Sequence, residues 1–178
     1  MIIAGPSSLQ FGLVASTPSY PSTMIIDGGF TTIKKVLIAN RGEIACRIIR
    51  SCKELGLTSV CIYTAADRTS SHVKLADEVW LLPGPDQSAY IQQEDVLEIA
   101  KKSGAHAVIP GYGEWTVRVR VLRPGFLSEN DEFAEKVEKA GMTWVGPSSR
   151  VITQFGLKHT ARELAIKSGV GVVHTKTE

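Results

Sequence analysis

The sequence predicts an α/β fold, an open and mostly parallel sheet with helices on both faces. Three observations carry this. Strand-like and helix-like patterns alternate from residue 35 to residue 167. The strand-like stretches are short continuous apolar runs, as expected for strands covered on both faces. Glycine and proline punctuate nearly every junction between them.

Residues 35–50, KVLIANRGEIACRIIR, set the pattern. Val36, Leu37, Ile38 and Ala39 read as a buried strand that turns at Asn40-Arg41-Gly42. Ile44, Ala45, Ile48, Ile49, Cys52 and Leu55 then recur at helical spacing, and Gly56 ends the helix. Residues 59–63 form the next strand, which completes a β-α-β unit with a right-handed crossover. A polar loop (64–71), a short helix (72–76) and a strand (78–82) follow, stopped by Pro83-Gly84-Pro85. Residues 90–102 predict a helix, with Ile91, Val96, Leu97 and Ala100 inward and Gly104 as the stop. A strand over 105–109 runs into Pro110-Gly111-Tyr112-Gly113. Residues 131–140 read as a helix with Phe133 and Val137 one turn apart and Gly141 at its C-cap. A strand over 142–145, a short helix capped by Ser148, and a helix over 158–167 end the order.

A chain of 178 residues fits one domain with at most the start of a second. Apolar content of 43% and charged content of 21% describe an ordinary globular protein. A net charge of +2 with dispersed signs gives no nucleic-acid footprint. Cys46, Cys52 and Cys61 form no CxxC pair and read as reduced thiols, two in a helix and one in a strand. No apolar run reaches the ~18 residues of a membrane helix. Residues 1–33 carry one charged side chain, Asp27, and are rich in Ser, Thr, Pro and Gly. They resemble neither an Arg-rich presequence nor a secretory signal, and predict a disordered or spurious extension, with the cytoplasm as the default location.

In open α/β sheets ligands lie beyond the carboxyl ends of the strands. Here those ends are Asn40-Arg41-Gly42, the loop after Tyr63, and Pro110-Gly111-Tyr112-Gly113. No Walker A or GxGxxG motif follows the first strand, so the residues alone give a weak nucleotide signal. HExxH, zinc spacing and a Ser-His-Asp order are absent from the sequence, and His72, His106, His159 and His174 are scattered. Neither catalytic residues nor metal ligands are assigned.

Four segments, in order, resemble the biotin carboxylase family, the ATP-dependent part of biotin-dependent carboxylases. They are KVLIANRGEIACRIIR with CKELG behind it; SHVKLADE; IPGYG with FLSENDEFAEKVEKAG later; and WVGPS with GLKHTARELAIKSGV. The resemblance implies a Rossmann-like pre-ATP-grasp domain over 34–156 and the start of an ATP-grasp region over 157–178. Two details are similar to the urea carboxylase (urea amidolyase) branch. Ile109 precedes Pro110 where other branches usually carry His, and GLKHTAREL stands where they carry an MGDK-like sequence.

The family's reaction uses ATP, with magnesium, to activate bicarbonate, and passes the carboxyl group to biotin on a biotinylated carrier domain. The resemblance makes Lys158 an ATP contact; its plainer alternative is an exposed lysine at a helix start. Tyr112 and Gly113 correspond to the loop facing biotin and bicarbonate, against the alternative of a glycine-enabled turn. Arg47, Arg50 and Glu54 match first-helix positions at the family's homodimer interface; otherwise they are a solvated helix face.

The sequence departs from the family twice. Between Gly113 and Phe126, where the family runs GYG into FLSEN, stands EWTVRVRVLRPG, residues 114–125. Its alternating Trp115, Val117, Val119 and Val121 read as an inserted strand or hairpin arm. Gly-Glu-Trp can be encoded with a splice-donor-like GTGAGT and Pro-Gly with an acceptor CAG, and excision restores GYGFLSEN in frame, so a retained intron is the expectation. The chain also ends at Glu178, short of the family's ATP-grasp region, so it is expected to be inactive alone. The alternative is a non-catalytic module that pairs with a full-length carboxylase through the first helix. If the insert is part of the mature protein, its apolar side chains lower stability; deletion of 114–125 then raises the melting temperature, and an unchanged or lower melting temperature contradicts this.

Overall fold

The computed structural model describes residues 23–26, 29–84, 86–110, 127–156 and 158–172, with side chains from residue 32 onward except that of Lys158. Strands β1 (Thr23–Ile26) and β2 (Gly29–Thr32) pair antiparallel as a separate hairpin. Composition alone, which reads residues 1–33 as an extension without structure, predicts no such element. Then come β3 (Lys35–Ile38), α1 (Gly42–Glu54), β4 (Thr58–Tyr63), α2 (Ser71–Leu75) and β5 (Glu78–Leu81). They are followed by α3 (Gln93–Lys102), β6 (Ala107–Ile109), α4 (Asp131–Lys139), β7 (Thr143–Trp144), α5 (Ser149–Gly156) and α6 (Lys158–Lys167).

Strands β3 to β7 form one parallel sheet in the order β5-β4-β3-β6-β7. β3 is central. Its residues alternate between two cores, as the period of two demands. Val36 and Ile38 pack with Cys61 and Ala107 under Ala45, Ile49 and Cys52 of α1. Leu37 faces the other way, with Val60, Ile62 and Val108, toward Val96, Leu97 and Ala100 of α3 and Phe133, Ala134 and Val137 of α4. Helices therefore cover both faces, as the alternation of patterns predicts. Full burial of a side chain such as Leu37 contributes about 1.5–3 kcal/mol.

The crossovers place the ends of the strands. From β3 the chain steps outward to β4 and β5, then returns through α3 to the opposite side of β3 for β6. The direction of winding reverses between β3 and β6, the switch point at which open sheets leave a crevice. Ala39 N–H donates to the Ile109 carbonyl at 2.8 Å and holds the two strand ends together.

Local chemistry sets the element ends. Asn130 caps α4, its Oδ1 accepting the Phe133 N–H at 2.8 Å. Gly56, with φ +68°, ends α1 in the left-handed region that favours glycine. The expected helix over 90–102 is shorter than its apolar pattern. Residues Gln87–Ile91 form a tight 3-10 turn, and the chain breaks at Gln92 (φ −76°, ψ 95°) before α3. The cause is Tyr90, which is fully buried and donates its hydroxyl hydrogen to Asp67 at 2.9 Å; a continuous helix would carry it elsewhere.

The last two helices are peripheral. α5 packs against α4 and α6 but buries no side chain completely, and Phe155 stays 57% exposed. α6 spans the residues expected of it. By contrast Phe133 is fully buried and meets Trp144 edge to face, ring centroids 5.7 Å apart. Phe133→Ala should cost about 3–5 kcal/mol of folding free energy through lost burial and a residual cavity. Denaturant melts should show a lower midpoint at an unchanged slope.

Candidate functional site

The switch point lies beside the turn at Asn40-Arg41-Gly42, where β3 gives way to α1. Asn40 is buried, and its Oδ1 accepts the Arg41 N–H at 2.6 Å. Arg41 is the N-cap of α1 but its side chain makes no cap bond. The guanidinium instead swings toward β4 and grips Asp67 in two-point fashion, Nε donating to Oδ2 at 2.9 Å and Nη2 donating to Oδ1. With its amide turned so that oxygen faces the guanidinium, Gln87 also accepts from Nη1 at 2.9 Å. The guanidinium carbon lies 6.0 Å from the centre of the Tyr90 ring.

Asp67 is the hub. Its side chain is 3% exposed, and besides Arg41 it accepts from the Tyr90 hydroxyl at 2.9 Å and the Thr64 hydroxyl at 3.2 Å. Burial pushes its carboxyl up, but donation from Arg41, Tyr90 and Thr64 outweighs burial and holds it below the ordinary carboxylate value. The same hydrogen bond to Asp67 raises Arg41 against its own desolvation. Burial, then donation to Asp67, pushes the Tyr90 phenol far up. None of these three groups exchanges a proton near neutral pH.

His72, in the first turn of α2, completes the cluster. It is fully buried, and its Nδ1 accepts the Gly42 N–H at 3.4 Å. Three segments therefore converge at this end of the sheet: the β3–α1 turn, the β4–α2 connection and the turn before α3. The sequence marks the first two as strand ends, but no motif covers Asp67, Tyr90 or Thr64, and His72 falls within SHVKLADE without being marked as a site residue. The readable signal for Asp67 was its place in a polar loop just after a buried strand.

The residues implied by resemblance fall on separate elements or outside the described residues. Arg47, Arg50 and Glu54 are exposed on α1, away from the face that buries Ala45, Ile49 and Cys52. No ion pair joins Arg50 to Glu54 among the described residues. Lys158 is the first residue of α6. Tyr112, Gly113 and the insert 114–125 lie outside the described residues. The cysteines are free thiols. Burial pushes Cys61 up to about 12 and raises Cys52, which makes both poor nucleophiles.

Residues 32–152 match the family model described as biotin carboxylase, N-terminal domain. The chain belongs to the biotin carboxylase N-terminal domain family. It is 50% identical over 141 residues to an Emericella nidulans protein that carries the name urea carboxylase, covering 79% of this chain and 10% of that one. The solved urea carboxylase of Kluyveromyces lactis is 41% identical with a TM-score of 0.70, covering 79% and 12%. The biotin carboxylase domain dimer of Hydrogenobacter thermophilus 2-oxoglutarate carboxylase, solved with MgADP, ADP and bicarbonate, is 42% identical. Its TM-score is 0.70, and the match covers 79% of this chain and 28% of that one. The chain thus spans less than a third of the length of these relatives.

Breaking the Arg41–Asp67 pair from one side leaves a buried charge uncompensated. Losses at fully buried pairs run about 3–5 kcal/mol, and the partly solvated arginine puts Arg41→Ala below that range, at about 2–3 kcal/mol. The pH dependence has a definite sign. Because Asp67 is held below its ordinary value, its contribution is complete above that value and is lost as pH falls through the lower native one. Stability against pH, measured by denaturant melts, should fall less steeply below pH ~4 in Arg41→Ala than in the unmodified chain.

Proposed function

We propose that the chain is the N-terminal part of an ATP-dependent biotin carboxylase-type ligase of the urea carboxylase branch, which carboxylates biotin from bicarbonate. The observation that carries this is the 50% identity to the Emericella nidulans urea carboxylase together with the family match over 32–152. Residues 34–156 are then the pre-ATP-grasp domain and 157–178 the beginning of an ATP-grasp region. The insert at 114–125 is a retained intron, and 1–33 an extension.

Bicarbonate is a poor electrophile, so such a reaction needs activation by ATP, driven by positioning and by cations on the developing charge. Lys158, a flexible point charge at the start of α6, is the ATP contact in this proposal. Tyr112 and Gly113 face biotin and bicarbonate from the loop that leaves β6. The described residues contain no group of three or more His, Cys, Asp or Glu that could hold a metal ion; magnesium usually reaches such sites with the phosphates and one or two carboxylates. Bicarbonate and MgADP bound in the Hydrogenobacter relative are the ligand classes this chain would share as part of a longer polypeptide.

A second function has its own support. Arg47, Arg50 and Glu54 stand exposed on the outer face of α1. They suit a contact with a second carboxylase chain, so that the protein pairs with a full-length enzyme without catalysing. Gel filtration with a full-length carboxylase reads this directly, and Glu54→Arg should abolish co-elution.

The catalytic proposal is tested with the chain alone and with the same residues continued into an ATP-grasp region. The continued protein should cleave ATP only when bicarbonate and biotin are both present. The chain alone should bind ATP more weakly than about 1 mM, less than ~4 kcal/mol. Tight ATP binding by the chain alone, or ATP cleavage independent of bicarbonate, would overturn the proposal.

A further inference from the structure

We propose that His72 is an acid-sensitive latch on the first turn of α1: when its imidazole takes up a proton, that turn and one wall of the switch-point crevice come free. The latch is independent of the reaction proposed above and rests on the geometry around Gly42.

The first amides of a helix have no intrahelical acceptor and need one from outside. Arg41, at the N-cap, supplies none from its side chain. His72 supplies one from another element, its Nδ1 accepting the Gly42 N–H at 3.4 Å. That bond fixes the tautomer: Nδ1 is the acceptor, so the hydrogen is on Nε2. Nε2 is buried and completes no hydrogen bond among the described residues, although the Ile62 carbonyl lies close enough to favour the imidazolium.

Protonation changes Nδ1 from acceptor to donor, so that two N–H groups point at each other, and it places a charge in a fully buried position. The charged groups that face His72 are Arg41, at the mouth of α1, and Asp67, in the β4–α2 connection. Arg41 repels an imidazolium. Asp67 attracts it but already accepts from Arg41, Tyr90 and Thr64. Tyr90, in the turn before α3, stays a neutral phenol. Burial and Arg41 together keep the native imidazole neutral to a lower pH than an ordinary histidine.

The sign follows from linkage. The latched form is fully favoured above the ordinary histidine value. As pH falls below it, an opened form binds a proton that the latched form refuses, until the lower native value is reached. For one proton the opening equilibrium grows about tenfold per pH unit across that window.

NMR on the full 178-residue chain tests this. Ring nitrogen shifts should show the Nε2–H tautomer of His72 at neutral pH, titrating below the ordinary value. Protection of the Gly42 and Glu43 amides, corrected for intrinsic exchange, should drop about tenfold per pH unit in the same window. His72→Asn keeps an acceptor with no proton to gain, and should retain protection with a flat pH profile. Three results would overturn the latch: His72 titrating at the ordinary value, Gly42 protection unchanged while His72 becomes charged, or an unaltered pH profile in His72→Asn. If that variant does not fold, the tautomer and the coupled titration of the unmodified chain still decide.

Discussion

β3 is paired on both edges and covered on both faces, and the other elements take their positions from that constraint. Val36, Leu37 and Ile38 must all be accommodated inside protein, so the strand is short and apolar beyond the half-buried Lys35 that begins it. Two neighbours claim its edges, β4 on one side and β6 on the other, which forces the chain to reverse its winding around it. The switch point is thus a by-product of pairing one strand on both edges. α1 must then descend from the end of β3 onto one face, and the turn that starts it lies beside the switch point.

Beside the switch point sits a buried charge. A carboxylate as buried as Asp67 is costly unless every lone pair finds a donor. It finds them on three separate segments: Arg41 after β3, Thr64 after β4, and Tyr90 before α3. One charge thereby fixes the relative positions of three connections that regular hydrogen bonding leaves undetermined. Loops at the ligand end of a sheet lack the ladder that orders the strands, and a satisfied ionic hub supplies the missing geometry.

Much of this architecture was legible in the sequence, for a physical reason. The apolar runs of β3 and β4 and the helical spacing in α1, α4 and α6 are local signals of global burial, and local and global preferences agree there. The glycine after α1 and that after α4 marked those helix ends. Legibility failed where long-range contacts decide. Ile91 was expected inward with Val96, Leu97 and Ala100, yet it stays 37% exposed, while Tyr90 turns inward to a carboxylate distant in sequence and the helix breaks at Gln92. Asp67 and His72 lie on a polar loop and a short helix, where composition cannot say which side chain turns inside. The hairpin of β1 and β2 was announced by Asp27-Gly28 between two strand-like runs, a signal that reading residues 1–33 by composition passes over. Of the residues singled out by resemblance, Arg47, Arg50 and Glu54 lie on the exposed face that any amphipathic α1 would make polar. Their exposure is therefore compatible with a dimer face without requiring one.

The state of the groups at the crevice bears on where chemistry could come from. Arg41 has its guanidinium engaged by Asp67 and Gln87, and Asp67 is saturated by donors. A pair so closed on itself has little field left for a ligand, because its charges cancel at short range. This wall of the crevice therefore acts as scaffold: it offers shape and backbone at the mouth of α1 more than free charge. A ligase that handles ATP and bicarbonate needs cations at the developing negative charge. Among the described residues α6, which Lys158 begins, packs against α5, and the relatives carry far greater length than the matched region. On this account the N-terminal domain sets the position of one wall, and the reactive groups arrive on the other.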